Sequence, residues 1–371
     1  MVRAESAVEV LVVNLFANIY KGKRVLVTGH TGFKGSWLCL WLTELGAEVT
    51  GASLSPKTEH NHWDFLNLKI DDLRCDIRDA IEVEQIIKSI QPEIVFHLAA
   101  QPLVRSSYRD PLETWSTNVM GTANVLEACR HTPSVQAIVA ITTDKCYENY
   151  ELSRGYCEDD RLGGYDPYSA SKAGSELVAA SYRRAFFDAE AGALLATARA
   201  GNVIGGGDWS EDRLIPDLIR AISENKSLEI RSPNATRPWQ HVLESLSGYL
   251  MLGQKLLMGY REVAGPWNFG PEPEGNQTVS EVLEKLNKAW TDIRWHEAKG
   301  PQPHESSLLY LNSNKAHSKL NWQPVWNINC TIEKTADWYK QWLQTGEVIS
   351  RQQLASYVSD ASCADIEWTN S

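Results

Sequence analysis

The chain has 371 residues, 43% of them hydrophobic and 22% charged, which fits one large α/β unit or two coupled lobes. Its formal net charge of −11 argues against broad binding to nucleic acid or to an anionic membrane surface, because both need a basic face. Seven scattered cysteines without a CxxC pair predict reduced thiols in the cytoplasm and no metal site, rather than a disulfide framework.

Residues 1–18 precede the first regular element. Their apolar stretch "VEVLVVNLF" contains Glu9 and Asn14, and Arg3 is the one early basic residue. This pattern suits neither a signal peptide nor a membrane span. We predict that residues 1–18 form an extension outside the core fold.

Strands and helices alternate from Lys23 to about residue 200. Strand "RVLVTG" precedes a helix at 35–45, and strands "AEVTGASL", "LRCDIRD" and "IVFHLAA" follow, with later strands at 137–142 and 194–199. Repeating βα units of this length predict a Rossmann-like α/β fold, which is a doubly wound parallel sheet with helices on both faces.

Beyond residue 200 the alternation gives way to Gly/Pro-rich loops, short helices and isolated strands such as "SLEIR". We predict a nucleotide-binding domain at 19–200 and a smaller, irregular substrate lobe at 201–345, some segments of which return to the first domain. A C-terminal tail follows at 346–371. The lobe is expected at the carboxyl ends of the strands, where open α/β sheets bind ligands.

The segment "VLVTGHTGFKGSW" has three glycines at GxxGxxG spacing, at the turn from the first strand to the first helix. Glycines there permit a tight turn and a close approach of a pyrophosphate, to which the helix N-terminus offers free N–H groups. This context predicts a bound dinucleotide rather than a turn of purely structural role. The predicted contacts in this loop are Gly29, Thr31, Gly32, Phe33, Lys34 and Gly35.

At the end of the second strand, where an acid usually holds the adenine ribose, the chain has Ser53. Serine can bond a 2′-hydroxyl but does not repel a 2′-phosphate, and Lys34 and Lys57 are near in sequence. NAD is therefore favoured over NADP, without excluding NADP. Asp76 and Ile77 are predicted to flank the adenine, with a helix N-cap as the alternative role for Asp76.

A tyrosine and a lysine four residues apart, Tyr168 and Lys172, occur in "GGYDPYSASKAGSEL". On a helix the two side chains share a face, and a lysine ammonium lowers the pKa of a nearby phenol, so that the tyrosine can exchange a proton with a substrate hydroxyl. Thr143, Asp144 and Lys145 follow the strand at 137–142 and add a hydroxyl, an acid and a base. The alternative for the two charged residues is a solvated surface pair.

These segments together resemble the extended short-chain dehydrogenase/reductase superfamily: the glycine motif, "HLAAQ", "TTD" and "YSASK". The longer runs "GHTGFKGSWL", "FHLAAQPLVR", "TDKCYEN", "RAGNVIGGGDW" and "RPWQHVLE" are similar to the CDP-glucose 4,6-dehydratases within it. The resemblance covers about residues 20–330. It implies NAD as cofactor and CDP-glucose as substrate, and it adds Leu98, Ala99, Ala100, Gln101 and Asn118 to the cofactor contacts.

The resemblance also implies a reaction. Hydride passes from C4 of the sugar to NAD, water leaves across C5 and C6, and hydride returns to C6. Tyr168 as phenolate accepts the C4 hydroxyl proton, Lys172 tunes Tyr168 and binds the nicotinamide ribose, and Thr143 bonds the C4 oxygen. Asp144 matches the acid that protonates the departing C6 hydroxyl in related dehydratases.

Lys145 stands where the thymidine and guanosine classes of dehydratase have a glutamate base. A neutral Lys145 could remove the C5 proton, which requires a lowered pKa. A charged Lys145 would instead stabilise the enolate or help the hydroxyl to leave. The sequence leaves its protonation state open.

Five residues of the substrate lobe and its surroundings are candidate substrate contacts. Asn202 follows the sixth strand, and the guanidinium groups of Arg213 and Arg237 suit a diphosphate. Arg105 is a candidate for the sugar. His304 is a candidate in "PQPHESSLLYL", which lacks the further arginine that related dehydratases have before a late "HD" motif, and loop packing is its alternative role.

Two competing functions remain. A nucleotide-sugar 4-epimerase shares the fold, NAD and the Tyr/Lys pair, but needs no acid and base for elimination. A non-catalytic NAD-binding regulator would be expected to lack Tyr168, Lys172 or Thr143. The resemblance implies a homodimer, with a tetramer as the alternative, assembled through the Tyr/Lys helix and the helix within 112–130.

Overall fold

The computed structural model describes residues 14–187, 192–290, 293–298 and 308–370. Within them the strands are β1 Arg24–Thr28, β2 Glu48–Ser53, β3 Asp71–Arg74, β4 Ile94–His97, β5 Ala137–Ile141, β6 Leu194–Ala200, β7 Asn202–Ile204, β8 Leu228–Ile230, β9 Thr236–His241, β10 Pro266–Phe269, β11 Asn276–Thr278 and β12 Trp295–Glu297. The α-helices are α1 Phe33–Glu44, α2 His62–Leu66, α3 Ala80–Ile90, α4 Val104–Arg109, α5 Pro111–Trp115, α6 Gly121–Arg130, α7 Pro167–Tyr182, α8 Leu214–Ser223, α9 Val242–Leu257, α10 Val279–Ala289, α11 Asn314–Leu320, α12 Ile328–Thr345, α13 Ser350–Cys363 and α14 Glu367–Asn370.

The central sheet has seven strands in the order β10-β6-β5-β4-β1-β2-β3, and all neighbours are parallel. Val27 pairs with Phe96, and Phe96 pairs with Val139, so a row of fully buried apolar residues crosses its centre. Parallel strands that are buried on both faces have continuous apolar sequences, and β5, with the sequence "AIVAI", is an example. The predicted doubly wound parallel sheet is confirmed.

Helices cover both faces of this sheet. Trp37 and Trp41 of α1 are buried on one face, where the Trp41 ring meets Tyr357 of α13 with centroids 5.7 Å apart. On the other face, Val83 of α3 and Leu126 of α6 are buried in a second apolar cluster. Two separate cores, one on each side of a twisted sheet, hold the strand ends in fixed positions.

The two ends of the described chain pack against this core. Phe16 stacks on Trp368 of α14 with ring centroids 5.0 Å apart and planes 7° from parallel, and both rings are buried. The prediction of an extension up to residue 18 and of a tail from 346 is therefore corrected, because aromatic burial draws both segments into the core. Residues 1–13 lie outside the described residues.

The second lobe is small and irregular, as predicted. It contains a three-stranded sheet, β11-β9-β7, and a two-stranded sheet, β12-β8. Strand β10 and helix α9 return to the central sheet, where β10 pairs with β6 and α9 is almost wholly buried. Asn202, Arg213 and Arg237 of the lobe line one cleft with residues at the carboxyl ends of β1, β2 and β5, so the lobe stands over those ends.

Candidate active site

A large cleft lies between the carboxyl ends of the central strands and the second lobe. Its volume is about 1330 Å³. Almost all predicted site residues line it: Gly29, Thr31, Gly32, Phe33, Lys34, Gly35, Ser53, Asp76, Ile77, Leu98, Ala99, Ala100, Gln101, Arg105, Thr143, Asp144, Lys145, Tyr168, Lys172, Asn202, Arg213 and Arg237. Two predicted residues are exceptions: Asn118 does not line the cleft, and His304 lies outside the described residues.

The glycine turn between β1 and α1 is tight enough to require its glycines. Gly29 has φ +75°, and a Cβ on it would lie 2.6 Å from the backbone nitrogen of Ala99. A Cβ on Gly35 would lie 2.2 Å from the carbonyl oxygen of Gly29. Gly32 is the N-cap of α1 and offers no capping side chain, so the first N–H groups of α1 remain available at the cleft. This arrangement fits the diphosphate of a dinucleotide.

At the end of β2 the Ser53 hydroxyl is held by its neighbours. Its Oγ lies 2.9 Å from Oγ1 of Thr31 and 3.1 Å from Nδ1 of His30. Asp76 accepts hydrogen bonds from Arg78, with an ion-pair distance of 2.5 Å, and these bonds lower the pKa of Asp76. The N-cap of α3 is Asp79, so the alternative helix-capping role of Asp76 is wrong.

Asn118 lies behind the cleft and supports its wall. Its Oδ1 accepts from the backbone N–H of Gln101 at 2.8 Å, and its Nδ2 donates to the carbonyl oxygen of Gln101 and to Oγ of Ser171. All polar atoms of the amide are thus committed to protein partners. Asn118 fixes the loop after β4 against α7 and is not brought to the cofactor side of the cleft.

The segment after β5 is organised around Thr143. Thr143 caps the short 3₁₀ turn Asp144–Cys146, and its hydroxyl donates to Oδ1 of Asp144 at 2.9 Å. Asp144 is 1% exposed, and its Oδ2 has no hydrogen-bond partner among the described residues. Burial raises the pKa of Asp144, and the nearby charge of Lys145 opposes this rise. Because Asp144 is buried and Lys145 half-buried at the cleft, the surface-pair hypothesis is wrong.

Helix α7 brings Tyr168 beside Thr143. Asp166 caps the helix and Pro167 begins it, which sets Tyr168 in the first turn. Burial raises the pKa of Tyr168 to about 12, and the Thr143 hydroxyl and the charge of Arg213 only partly oppose this.

Lys172 lies one turn further along α7, as the spacing predicted. Its Nζ donates to the carbonyl oxygen of Ile141 at 3.3 Å, and burial lowers its pKa to about 8. The expected lowering of the Tyr168 pKa by Lys172 is not found. The reason is that burial disfavours both charged forms, the phenolate and the ammonium.

Lys34 is a third lysine in the cleft, in the first turn of α1. Its Nζ lies 3.3 Å from the hydroxyl oxygen of Tyr249 and 5.7 Å from the centroid of that ring. Burial and the charge of Arg213 lower the pKa of Lys34 to about 7. A cation at a helix N-terminus also opposes the helix dipole, so this position is unfavourable for a charged lysine.

Acidic partners hold two of the predicted arginines. Nη1 of Arg213 lies 2.9 Å from Oδ2 of Asp208, and Nη1 of Arg105 lies 3.0 Å from Oδ1 of Asp212. Arg237 is buried and donates to the carbonyl oxygen of Thr236.

The sequence analysis missed both acids that hold these arginines. The motif "GGGDW" contains Asp208 and could have indicated it. No local pattern marks Asp212, because its contact with Arg105 spans 107 positions of the sequence.

Two features are absent from the described part of the chain. No group of three or more His, Cys, Asp or Glu side chains there is arranged to hold a metal ion. None of the helices there combines the length and the apolar character that a membrane crossing requires.

Comparison with known proteins gives concordant results. The model of the family described as GDP-mannose 4,6 dehydratase matches residues 26–335. A CDP-glucose 4,6-dehydratase of Salmonella typhimurium is 45% identical over 351 residues, which are 92% of this chain and 98% of that protein.

Solved structures share the fold. A UDP-glucose 4-epimerase of Thermus thermophilus in complex with NAD has a TM-score of 0.74 and 25% identity, over 85% of this chain and 98% of that one. A dTDP-glucose 4,6-dehydratase of Streptomyces venezuelae, solved with NAD bound, has a TM-score of 0.74 and 23% identity, over 85% and 97% of the two chains.

Proposed function

Because this chain belongs to the GDP-mannose 4,6-dehydratase family, we propose that it converts CDP-glucose to CDP-4-keto-6-deoxyglucose and water. The 45% identity to a CDP-glucose 4,6-dehydratase extends over almost the whole of both chains, which supports the choice of the cytidine nucleotide. Membership of the family supports a nucleotide sugar as the substrate. The glucose unit and the cytosine base are the more specific parts of the proposal.

One observation carries the proposed chemistry. A phenol, a hydroxyl and a buried carboxyl, those of Tyr168, Thr143 and Asp144, line the cleft together with Lys145, and the Thr143 hydroxyl donates to Oδ1 of Asp144 at 2.9 Å. Oxidation at C4 needs an acceptor for the hydroxyl proton, and loss of water across C5 and C6 needs an acid and a base. The grouping provides side chains for all three tasks.

The cofactor of this proposal is NAD. When bound, NAD supplies an acceptor for the C4 hydride and the donor that returns it to C6. The glycine turn and the N-terminus of α1 would hold its diphosphate, Asp76 and Ile77 its adenosine, and Lys172 its nicotinamide ribose. The Ser53 hydroxyl is engaged with Thr31 and His30, and the Asp76 carboxyl with Arg78.

Each catalytic side chain then has a proposed role. Tyr168 accepts the proton of the C4 hydroxyl, and Thr143 bonds the C4 oxygen. Asp144 protonates the departing C6 hydroxyl, for which its raised pKa is suited. Lys145 acts at C5, either as the base or by stabilising the enolate.

The substrate nucleotide is proposed to lie against the second lobe. Arg213 and Arg237 line the cleft there, and guanidinium groups match phosphate oxygens in geometry and charge. Asn202, at the start of β7, lies on the same side.

A homodimer is part of the proposal. Leu112, Trp115 and Met120 line one shallow groove and are 79%, 41% and 56% exposed. Leu177 of the neighbouring helix α7 is 61% exposed. An apolar patch of this kind on a monomer marks an interface, and its place on α5 to α7 matches the dimer interface that the family resemblance implies.

The protein is also proposed to be cytoplasmic, which the seven free thiols support.

The test is to incubate the purified protein with NAD and CDP-glucose and to measure the base-induced absorbance of a 4-keto sugar. UDP-glucose, dTDP-glucose and GDP-mannose are tested in parallel. We expect a signal with CDP-glucose that exceeds the others at least tenfold. A signal with another nucleotide sugar alone would overturn the specificity and keep the class. CDP-galactose as the only product would favour the epimerase, and no conversion of any of the four would favour a binding protein.

A further inference from the structure

A buried ion pair lies behind the cleft, next to the segment that follows β5. The side chains of Glu176 on α7 and Arg199 on β6 are each 3% exposed, and Nη2 of Arg199 donates to Oε2 of Glu176 at 2.8 Å. Nε of Arg199 donates to Oε1 of the same carboxylate at 2.9 Å, so the contact is bidentate. Neither residue lines the cleft, and the pair therefore does not meet a substrate directly.

The ion pair holds the first residue of the segment 142–147, which we call the β5 loop. The Thr142 hydroxyl donates to Oε1 of Glu176 at 2.5 Å, and Thr142 is 6% exposed. The backbone N–H of Thr142 donates to the carbonyl oxygen of Ala198, on the strand that carries Arg199. Hydrogen bonds to an ionised group are stronger than those between neutral groups, so this contact fixes the start of the loop against α7.

The same ion pair holds the last residue of the β5 loop. Nη1 of Arg199 donates to the phenol oxygen of Tyr147 at 2.7 Å, and this phenol donates to Oδ1 of Asn268 on β10, also at 2.7 Å. The Tyr147 ring is 1% exposed and stacks on the ring of Tyr156, with centroids 5.2 Å apart. The end of the loop is therefore fixed against β6 and β10.

Hydrogen bonds within the β5 loop are too long to fix it alone. The N–H of Cys146 lies 3.3 Å from the carbonyl oxygen of Thr143, and the N–H of Tyr147 lies 3.4 Å from that of Asp144. Both distances exceed the usual range for N–H···O bonds. The position of the loop thus depends on contacts to the rest of the protein, and the contacts at its two ends are made to one buried ion pair.

We infer that the Glu176–Arg199 pair is a clamp that positions the β5 loop for the proposed dehydration. The two residues proposed for the loss of water, Asp144 and Lys145, lie between the two points at which the pair holds the loop. Glu176 and Arg199 are positioning residues, since they act on the reaction only through this loop. The inference rests on the proposed function, which gives Asp144 and Lys145 their roles.

The clamp should affect the two halves of the reaction unequally. Oxidation at C4 is proposed to depend on Tyr168 and Lys172 of α7, and the first turn of this helix has its own cap, in which Asp166 accepts from the N–H of Ser169 at 2.9 Å. A displaced β5 loop should therefore slow the loss of water more than the oxidation. Reduced nicotinamide then accumulates, because hydride can return to C6 only after the C6 hydroxyl has left.

Substitutions at the two ends of the loop test the clamp without leaving a buried charge unpaired. Tyr147→Phe and Thr142→Val each remove one hydroxyl and keep the shape of the side chain, and Thr142→Ser keeps the hydroxyl. Tyr20→Phe and Thr132→Val are matched controls, because each also removes a buried hydroxyl that donates to a backbone oxygen, at residues that do not line the cleft.

The pair itself is tested by one double variant, Glu176→Leu with Arg199→Met. A single substitution would leave the other charge buried without a partner and could prevent folding, whereas removal of both charges together avoids this cost. The double variant releases both ends of the loop at once, so it should combine the effects of the two end substitutions.

The first measurement is turnover of CDP-glucose by the NAD-loaded proteins, with the fraction of reduced nicotinamide at steady state followed by absorbance. We expect Tyr147→Phe and Thr142→Val to lower kcat about tenfold, to keep KM within about threefold and to raise the reduced fraction at least about threefold, as for misplaced catalytic groups. Thr142→Ser and the two controls should stay within about twofold of the unchanged protein in all three quantities.

The second measurement is hydrogen–deuterium exchange of the protein without ligands, which does not depend on activity. The backbone amides of 143–147 should exchange at least about threefold faster in Tyr147→Phe and in the double variant, because local opening of the loop becomes easier. The two controls should leave exchange in this segment unchanged.

Three results would overturn the clamp. The first is a lower kcat in both end variants without a rise in the reduced fraction, which is the sign of general damage to the fold. The second is unchanged amide exchange in the β5 loop, and the third is an equal loss of kcat in Thr142→Ser and Thr142→Val. If the unchanged protein forms neither reduced cofactor nor 4-keto product, the proposed function is wrong, and the exchange measurement still tests whether the pair holds the loop.

Discussion

Nζ of Lys34 lies 3.3 Å from the hydroxyl oxygen of Tyr249, so that the first turn of α1 is joined to the middle of α9 beside the glycine turn. Tyr249 is fully buried, and Lys34 shares the cleft with other cations, among them Arg213 and Lys172, whose charges lower its pKa. A lysine here is costly for the fold whenever it is charged.

Replacing Lys34 with Met is expected to stabilise the protein at neutral pH. The pKa of Lys34 falls from 10.5 to about 7 on folding, so between these values the folded state binds fewer protons than the unfolded state. Stability of the unchanged protein therefore rises with pH across this window. The variant should gain about 2–4 °C in the thermal midpoint at pH 7 and lose this advantage near pH 10.5.

The measurement is thermal unfolding without ligands at several pH values. Lys226→Met, at an exposed lysine, is the control and should show no such pH dependence. If the Lys34→Met variant is less stable than the unchanged protein at pH 7, burial of the Lys34 ammonium does not destabilise the fold and the prediction is wrong.

Replacing Lys145 with Met should reduce turnover of CDP-glucose at least a hundredfold and leave NAD binding intact, in line with the loss of an acid or base group. Steady-state kinetics and NAD titration measure the two effects. Lys21→Met, at an exposed lysine, serves as the control. Activity close to that of the unchanged protein would remove Lys145 from the proposed mechanism.

Gly35→Ala should disrupt the turn that precedes α1. The new Cβ would lie 2.2 Å from the backbone oxygen of Gly29, and backbone atoms cannot move aside as a flexible side chain can. We expect a loss of about 3 kcal/mol in the free energy of unfolding, at the upper end for an overpacked site, and weaker NAD binding. Gly265→Ala is the matched control, since the nearest atom to its Cβ is a lysine Nζ at 3.9 Å. Equal stability of the two variants would contradict the prediction.

Two substitutions can distinguish a substrate contact of Arg105 from its ion pair with Asp212. If Arg105 contacts the substrate, Arg105→Met should raise KM for CDP-glucose about tenfold with little change in kcat, as for an interaction made equally in ground and transition states. Asp212→Asn removes the 3.0 Å ion pair but keeps Arg105, and KM should stay within about threefold. Both substitutions should change stability by less than about 1 kcal/mol, because the pair is partly exposed. The same rise in KM in both variants would show that the ion pair matters and would argue against a substrate contact.

The proposed dimer can be tested at Leu112. Leu112→Asp places a charge on the exposed apolar groove of α5 and should convert the dimer to a monomer at micromolar concentration. Sedimentation velocity measures the change. Met258→Asp alters an exposed apolar residue at the end of α9, outside this groove, and should leave the dimer intact. An unchanged oligomeric state in Leu112→Asp would place the interface elsewhere.

The sequence by itself determined the architecture and the cofactor loop of this protein. Both follow from local rules, because apolar runs define buried parallel strands and a glycine triplet between β1 and α1 defines a turn that excludes side chains. It also determined which residue types meet after β5, since Tyr168 and Lys172 are one helical turn apart and Thr143, Asp144 and Lys145 follow one strand. Strand ends in a parallel sheet meet at one edge, so these segments converge without further information.

Only the tertiary structure decided how deeply the ionisable groups are buried and which partners they have. It showed that Asp144 is buried with one oxygen that has no hydrogen-bond partner among the described residues, and that burial raises the pKa of Tyr168 against the expected influence of Lys172. It also placed Asn118 behind the cleft, and Phe16 and Trp368 together in the core. These properties depend on desolvation and on contacts between residues far apart in the chain, and desolvation is a property of everything packed around a group. No local pattern of residues contains that information.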